Sequence, residues 1–101
     1  MTVEEFRATL TGSEPPPGVS APLRALWLDG KGDWAAAHAL VDDLETAEAM
    51  RVHAYLHRKE GDLSNARYWY TRSATEPPLL PLDREWERLV QNFLLLAQNP
   101  A

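Results

Sequence analysis

Apolar residues along this chain recur three and four positions apart in six separate stretches, and nowhere do they alternate for long enough to make a strand. The spacing predicts an all-α fold. Thr2-Val3-Glu4-Glu5 is a capping box that opens a helix with Val3, Phe6 and Leu10 on one face, and Gly12 ends it. Ser20 caps a second helix, with Pro22 tolerated in its first turn and Leu23, Leu26 and Trp27 as its buried face. Asp33 caps a third, on which Trp34, Ala37, Leu40, Val41 and Leu44 face inward. The fourth helix runs from Thr46 to Lys59. Its polar sector holds Glu48, Arg51, Tyr55, Arg58 and Lys59, and its apolar sector holds Ala47, Ala49, Met50, Val52, Ala54 and Leu56, with His53 and His57 in the middle. Asp62 caps a fifth helix that buries Leu63, Ala66, Trp69, Tyr70 and Ser73 and stops before Glu76-Pro77-Pro78, because a residue preceding proline avoids the helical region. The last helix, capped by Asp83, carries the strongest stripe of all, Leu82, Trp86, Leu89, Val90, Phe93, Leu96 and Ala97. It is expected to close the open end of the stack.

Two of these stretches are related. Gly32-Asp33-Trp34-Ala35-Ala36-Ala37 and Gly61-Asp62-Leu63-Ser64-Asn65-Ala66 place the same glycine–aspartate pair 29 residues apart, each followed by small residues that let a neighbouring helix come close. A duplicated antiparallel helical hairpin is the expected architecture. The 101 residues then form a single domain: an N-terminal helix (1–12), a proline-rich linker (13–19), two hairpins (20–78) and a capping helix (82–98). Pro15-Pro16-Pro17 cannot be helical and reads as a spacer.

Charge narrows the range of partners. The net charge is −5, yet residues 51–72 hold five basic and two acidic side chains, whereas residues 1–50 hold three basic and nine acidic ones. A chain acidic overall is a poor nucleic-acid binder, but a local basic patch can attract an acidic peptide or a small anion. There is no cysteine, which rules out disulfides, thiolate chemistry and sulfur-ligated metals. The N-terminus lacks the basic start and apolar run of a signal peptide, and the apolar stretch Phe93–Ala97 is too short to span a bilayer, so no membrane is expected and the cytoplasm is the expected compartment.

From Met50 to Pro78 the chain resembles the tetratricopeptide (TPR) repeat, a pair of antiparallel helices joined by a Gly-Asp turn. Ala54, Gly61, Asp62, Ala66, Tyr70 and Pro78 stand where that repeat expects a small residue, the turn pair, alanine, an aromatic and a terminal proline. Ser73 replaces its second alanine, and His53 and His57 stand where it packs an aliphatic and an aromatic residue. Residues 21–49 resemble a degenerate, shorter copy, through Gly32, Asp33 and Ala37. His53 to Tyr70 is also similar to a stretch of small uncharacterised helical proteins. The TPR resemblance implies about two repeats and a non-catalytic role in binding another protein, or a second copy of itself as a homodimer, through the face between the hairpins.

The side chains that can carry chemistry are few. His53 and His57 have the i,i+4 spacing of a helical metal pair, and His38 or Glu60 is placed to add a third ligand. The bland reading makes all three histidines structural, each hydrogen-bonded between packed helices. No catalytic residue, cofactor or resident metal is assigned. Arg58 and Glu60 sit at the second hairpin turn. Asn65, Tyr68 and Arg72 share the outer side of the fifth helix and form the candidate contact surface. The alternative to an interaction module is a small-ligand, anion or metal-binding protein, an enzyme included, built on His38, His53, His57, Arg58 and Glu60. What separates the two is whether the histidines are sealed or open to a cleft.

Overall fold

The computed structural model describes residues 1–98, and these fold into six α-helices: α1 (Val3–Ala8, continued by a 3-10 turn, Thr9–Thr11), α2 (Ala21–Gly30), α3 (Trp34–Val41), α4 (Ala47–Lys59), α5 (Leu63–Arg72) and α6 (Leu82–Gln98). There is no strand among the described residues. Helices α2 and α3 form one antiparallel hairpin and α4 and α5 the other, with α3 beside α4 where the hairpins meet.

The two Gly-Asp pairs have the same geometry, and each does two jobs. At the end of α2 the Gly32 amide donates to the Asp29 carbonyl and the Asp33 amide to that of Leu28; at the end of α4 Gly61 donates to Arg58 and Asp62 to His57. This is a Schellman ending, which needs a left-handed residue, and Gly32 and Gly61 supply it at φ of 88° and 90°. The aspartate next in line then caps the following helix, Asp33 accepting from the Ala36 amide and Asp62 from that of Asn65. A turn that ends one helix and starts the next within two residues forces the helices antiparallel.

The main core is shared by α1, α2, α3, α4 and α6, with Phe6, Leu23, Leu26, Val41, Val52, Leu56 and Val90 fully enclosed. Helix α6 packs on α2 and α4, the first helices of both hairpins, and α1 packs on α6. Its Trp86 donates an indole hydrogen bond to the Leu26 carbonyl at 2.9 Å and meets the Phe6 ring at 6.0 Å. So α6 lies across the face shared by the two hairpins rather than on the outer helix alone. A smaller cluster of Ala54, Ala66, Tyr70 and Trp69 joins α4 to α5, the two alanines permitting the close approach.

Several side chains differ from the periodic reading. Tyr55 is buried, because α4 is central and is covered on both sides. Leu63, the first residue of α5, is exposed, as are Leu96 and Ala97 in the last turns of α6; Leu94 takes the inward position instead. Asp83 lies inside the first turn of α6, and the helix begins where the Pro81 carbonyl accepts from the Glu85 amide. No helix among the described residues is long and apolar enough to cross a membrane.

Candidate functional site

Three histidines meet in the joint between the hairpins. His38 comes from α3, and His53 and His57, one turn apart, from α4. The Nε2 atoms of His38 and His53 stand 3.1 Å apart, so one ring donates and the other accepts. The His57 Nδ1–H donates to the Glu60 carboxylate at 2.6 Å, Glu60 being the C-cap residue of α4. Asp42 Oδ1 sits 3.8 Å from the Nε2 of His38 and 4.0 Å from that of His53. Two indoles sandwich the group: Trp34 stacks on His38 at 4.9 Å and Trp69 stacks on His53 at 4.0 Å. Trp34 is itself held by a hydrogen bond from its indole to the Leu56 carbonyl.

Burial differs among the three. His53 is 2% exposed and His57 is buried, while the His38 side chain keeps about a quarter of its surface open at the edge of the joint. The Nδ1 of His53 is buried and has no hydrogen-bond partner. Burial, with the neighbouring His57 and His38 adding to it, pulls the His53 pKa down to about 4. The sign of the consequence follows. In the unfolded chain His53 takes up a proton near pH 6.5, whereas in the folded chain it refuses one until pH 4, so acid favours unfolding across that window. In metal-free buffer stability should be flat above pH 6.5 and should fall by about 3 kcal/mol between there and pH 4 on account of this group. Urea unfolding across the pH range measures the slope, which His53→Gln should flatten.

The remaining site candidates separate from the histidines. Arg58 points to the other side of α4, where Nη1 donates to Glu85 at 2.7 Å and Nη2 to the Leu80 carbonyl. Asn65 is half-buried and hydrogen-bonds back to Asp62 in the turn. Tyr68 and Arg72 stand together on the outside of α5: Tyr68 is 55% exposed, and the Arg72 guanidinium lies 5.8 Å from its ring centre and 4.9 Å above Trp69. Trp69 therefore has His53 on one side and Arg72 on the other.

Two buried acid–tyrosine networks escaped the sequence reading. Tyr55 donates to Asp29 at 2.7 Å, and Lys59 pairs with the same carboxylate at 2.8 Å. Tyr70 donates to Glu85 at 2.5 Å, the carboxylate that also holds Arg58. Burial and these hydrogen bonds push both phenols well above their ordinary pKa, so both stay protonated donors. The first network lines a cleft of about 400 Å³ at the junction of α1, α2, α4 and α6, with Arg7, Leu10, Gly30 and Trp86 among its walls. None of the three histidines lines it. The clue in the sequence was the register of the acids: Asp29 continues the Leu23–Leu26 face at helical spacing, and Glu85 lies between Leu82 and Leu89 on the α6 stripe.

No protein-family model, curated protein or solved structure matches this chain.

Proposed function

We propose that this protein is a non-catalytic helical-hairpin module, TPR-like in plan, that binds an acidic segment of another protein with the outer face of α5. The observation that carries the reading is the stack of Arg72 over Tyr68 and Trp69 on a helix surface left open to solvent. Tyrosine, tryptophan and arginine are the side chains that most often anchor interfaces. Arg67 adds an exposed charge with no ion pair among the described residues, and Leu63 adds exposed apolar area beside it. On α5 itself the charged side chains are Arg67 and Arg72, Arg72 lying 3.6 Å from Glu45, and this positive charge favours an acidic partner. With α6 lying over α2 and α4, a partner meets α5 rather than the inner face. The absence of cysteine suits a reducing cytoplasm, and the net charge of −5 argues against nucleic acid.

Selection of a random dodecapeptide display library on the full chain tests this. We expect enrichment of peptides with Asp or Glu flanking an apolar residue, and their affinity should fall about tenfold or more in both Tyr68→Ala and Arg72→Glu. Peptides that bind Arg72→Glu as well as the unaltered protein would contradict the proposal. A homodimer that Arg72→Glu dissociates would mean that a second copy of the chain is the partner. The reading of a metal-binding protein is favoured by one observation, the convergence of the three histidines.

A further inference from the structure

The strongest unused chemistry is the histidine joint, and we infer that His38, His53 and His57 form a binding site for a divalent transition metal of the zinc class, with Asp42 as the fourth ligand. The inference stands apart from the acidic-peptide reading, since it concerns the inside of the joint and not the α5 surface.

One ring nitrogen from each histidine lies within 4.8 Å of one from each of the others. In a tetrahedral zinc site with bonds of 2.0–2.1 Å, neighbouring ligand atoms are about 3.3 Å apart. The Nε2 atoms of His38 and His53, at 3.1 Å, already hold that spacing. Asp42 Oδ1, 3.8 and 4.0 Å from them, needs to close by about half an ångström to complete it. Because Nδ1 of His57 is committed to Glu60, its Nε2 lone pair is the one left for a metal. A ligating imidazole that gives its other N–H to a carboxylate is the usual arrangement in such sites: it fixes the tautomer and strengthens the donor.

The donor set also selects the ion. Three imidazoles and one carboxylate suit zinc or cobalt(II) and are too nitrogen-rich for calcium or magnesium. The bland alternative, three histidines serving only as packing, leaves more unexplained. It places three imidazoles where aliphatic side chains would fill the joint without desolvating any polar atom. A bound ion would tie α3 to α4 and so clamp one hairpin to the other.

The experiment is calorimetric titration of the full, chelator-treated chain with ZnCl₂, with cobalt(II) absorption as a second readout. We expect one equivalent to bind, the visible bands of tetrahedral cobalt, and a rise in Tm with zinc. His38→Ala, at the partly open edge of the joint, should weaken binding about 100-fold, and Glu60→Gln about 10-fold. Asp62→Asn should leave affinity unchanged; with His57 and Glu60, Asp62 forms the competing donor group at the turn, and asparagine keeps its role as a cap. Should His38→Ala fail to fold, the ring resonances of the unaltered protein decide. Zinc must then shift His38, His53 and His57 together at one equivalent. No saturable uptake, undiminished binding by folded His38→Ala, loss of binding in Asp62→Asn, or ring shifts confined to His57 would each overturn the site.

Discussion

Replacing Trp86 by alanine is expected to remove about 3–5 kcal/mol of stability. The indole is 7% exposed; it stacks at a tilt against Phe6, lies under the Arg7 guanidinium at 5.5 Å and donates to the Leu26 carbonyl. Alanine would strip these contacts and leave a cavity between α1, α2 and α6. Against a total of about 5–15 kcal/mol for a domain, that loss is a large share of the stability. The variant's Tm should drop by about 12 °C or more, taking about 4 °C per kcal/mol as the least sensitive case for this size. Leu96→Ala is the control. Leu96 is about half exposed in the last turns of the same helix, and its loss should stay within about 0.5 kcal/mol. Equal losses in the two variants would mean that α6 is not seated on α2 and α4 as described.

The second large effect is expected at Glu85. This carboxylate, 3% exposed, is the point where α4, α5 and α6 are joined, because it accepts from Arg58 and from the Tyr70 hydroxyl. Glu85→Ala leaves the Tyr70 phenol without its acceptor and the Arg58 guanidinium, about a quarter exposed, with only the Leu80 carbonyl, and should remove about 3 kcal/mol. Most of that loss is the penalty on the abandoned partners rather than the worth of the bond, which a double-mutant comparison can show. Tyr70→Phe should destabilise the unaltered protein by about 1–2 kcal/mol and the Glu85→Ala protein by far less. Chemical denaturation of the four proteins measures both numbers. Additive losses would mean that Tyr70 and Glu85 are not coupled.

What could be read from the sequence follows from the range over which each signal acts. The Gly-Asp turns were legible because a Schellman ending needs a left-handed residue at one position and a capping side chain at the next, both local requirements. The capping box at Thr2 and the proline stop after α5 are local in the same way. The histidine spacing on α4 is local too, and it brought His53 and His57 together with His38 as the nearby third. What the sequence could not supply is the identity of the surface each stripe meets. Tyr55 read as solvent-facing because Glu48, Arg51 and Lys59 flank it, yet α4 is central, and Asp29 from α2 satisfies the phenol. Beyond their register, nothing local marked Asp29 and Glu85 as buried acceptors, because the tyrosines that donate to them lie 26 and 15 residues away. The pairing of Trp34 and Trp69 across the histidines is likewise long-range, and periodicity carries no information about it. The stripe on α6 was plain; that it lies across two hairpins rather than at the end of a stack is a property of the tertiary fold alone.

The placement of α6 carries the functional argument, since a helix that peeled away would open the face of α2 and α4 and move the expected binding surface there. Native-state hydrogen exchange tests this most directly. The account predicts that the amides of Trp86 to Leu94 exchange only through global unfolding, with the same free energy and the same urea dependence as those of Val52 to Leu56 in α4. Exchange of the α6 amides at a free energy several kcal/mol lower, with little dependence on urea, would contradict it and identify α6 as a displaceable cover.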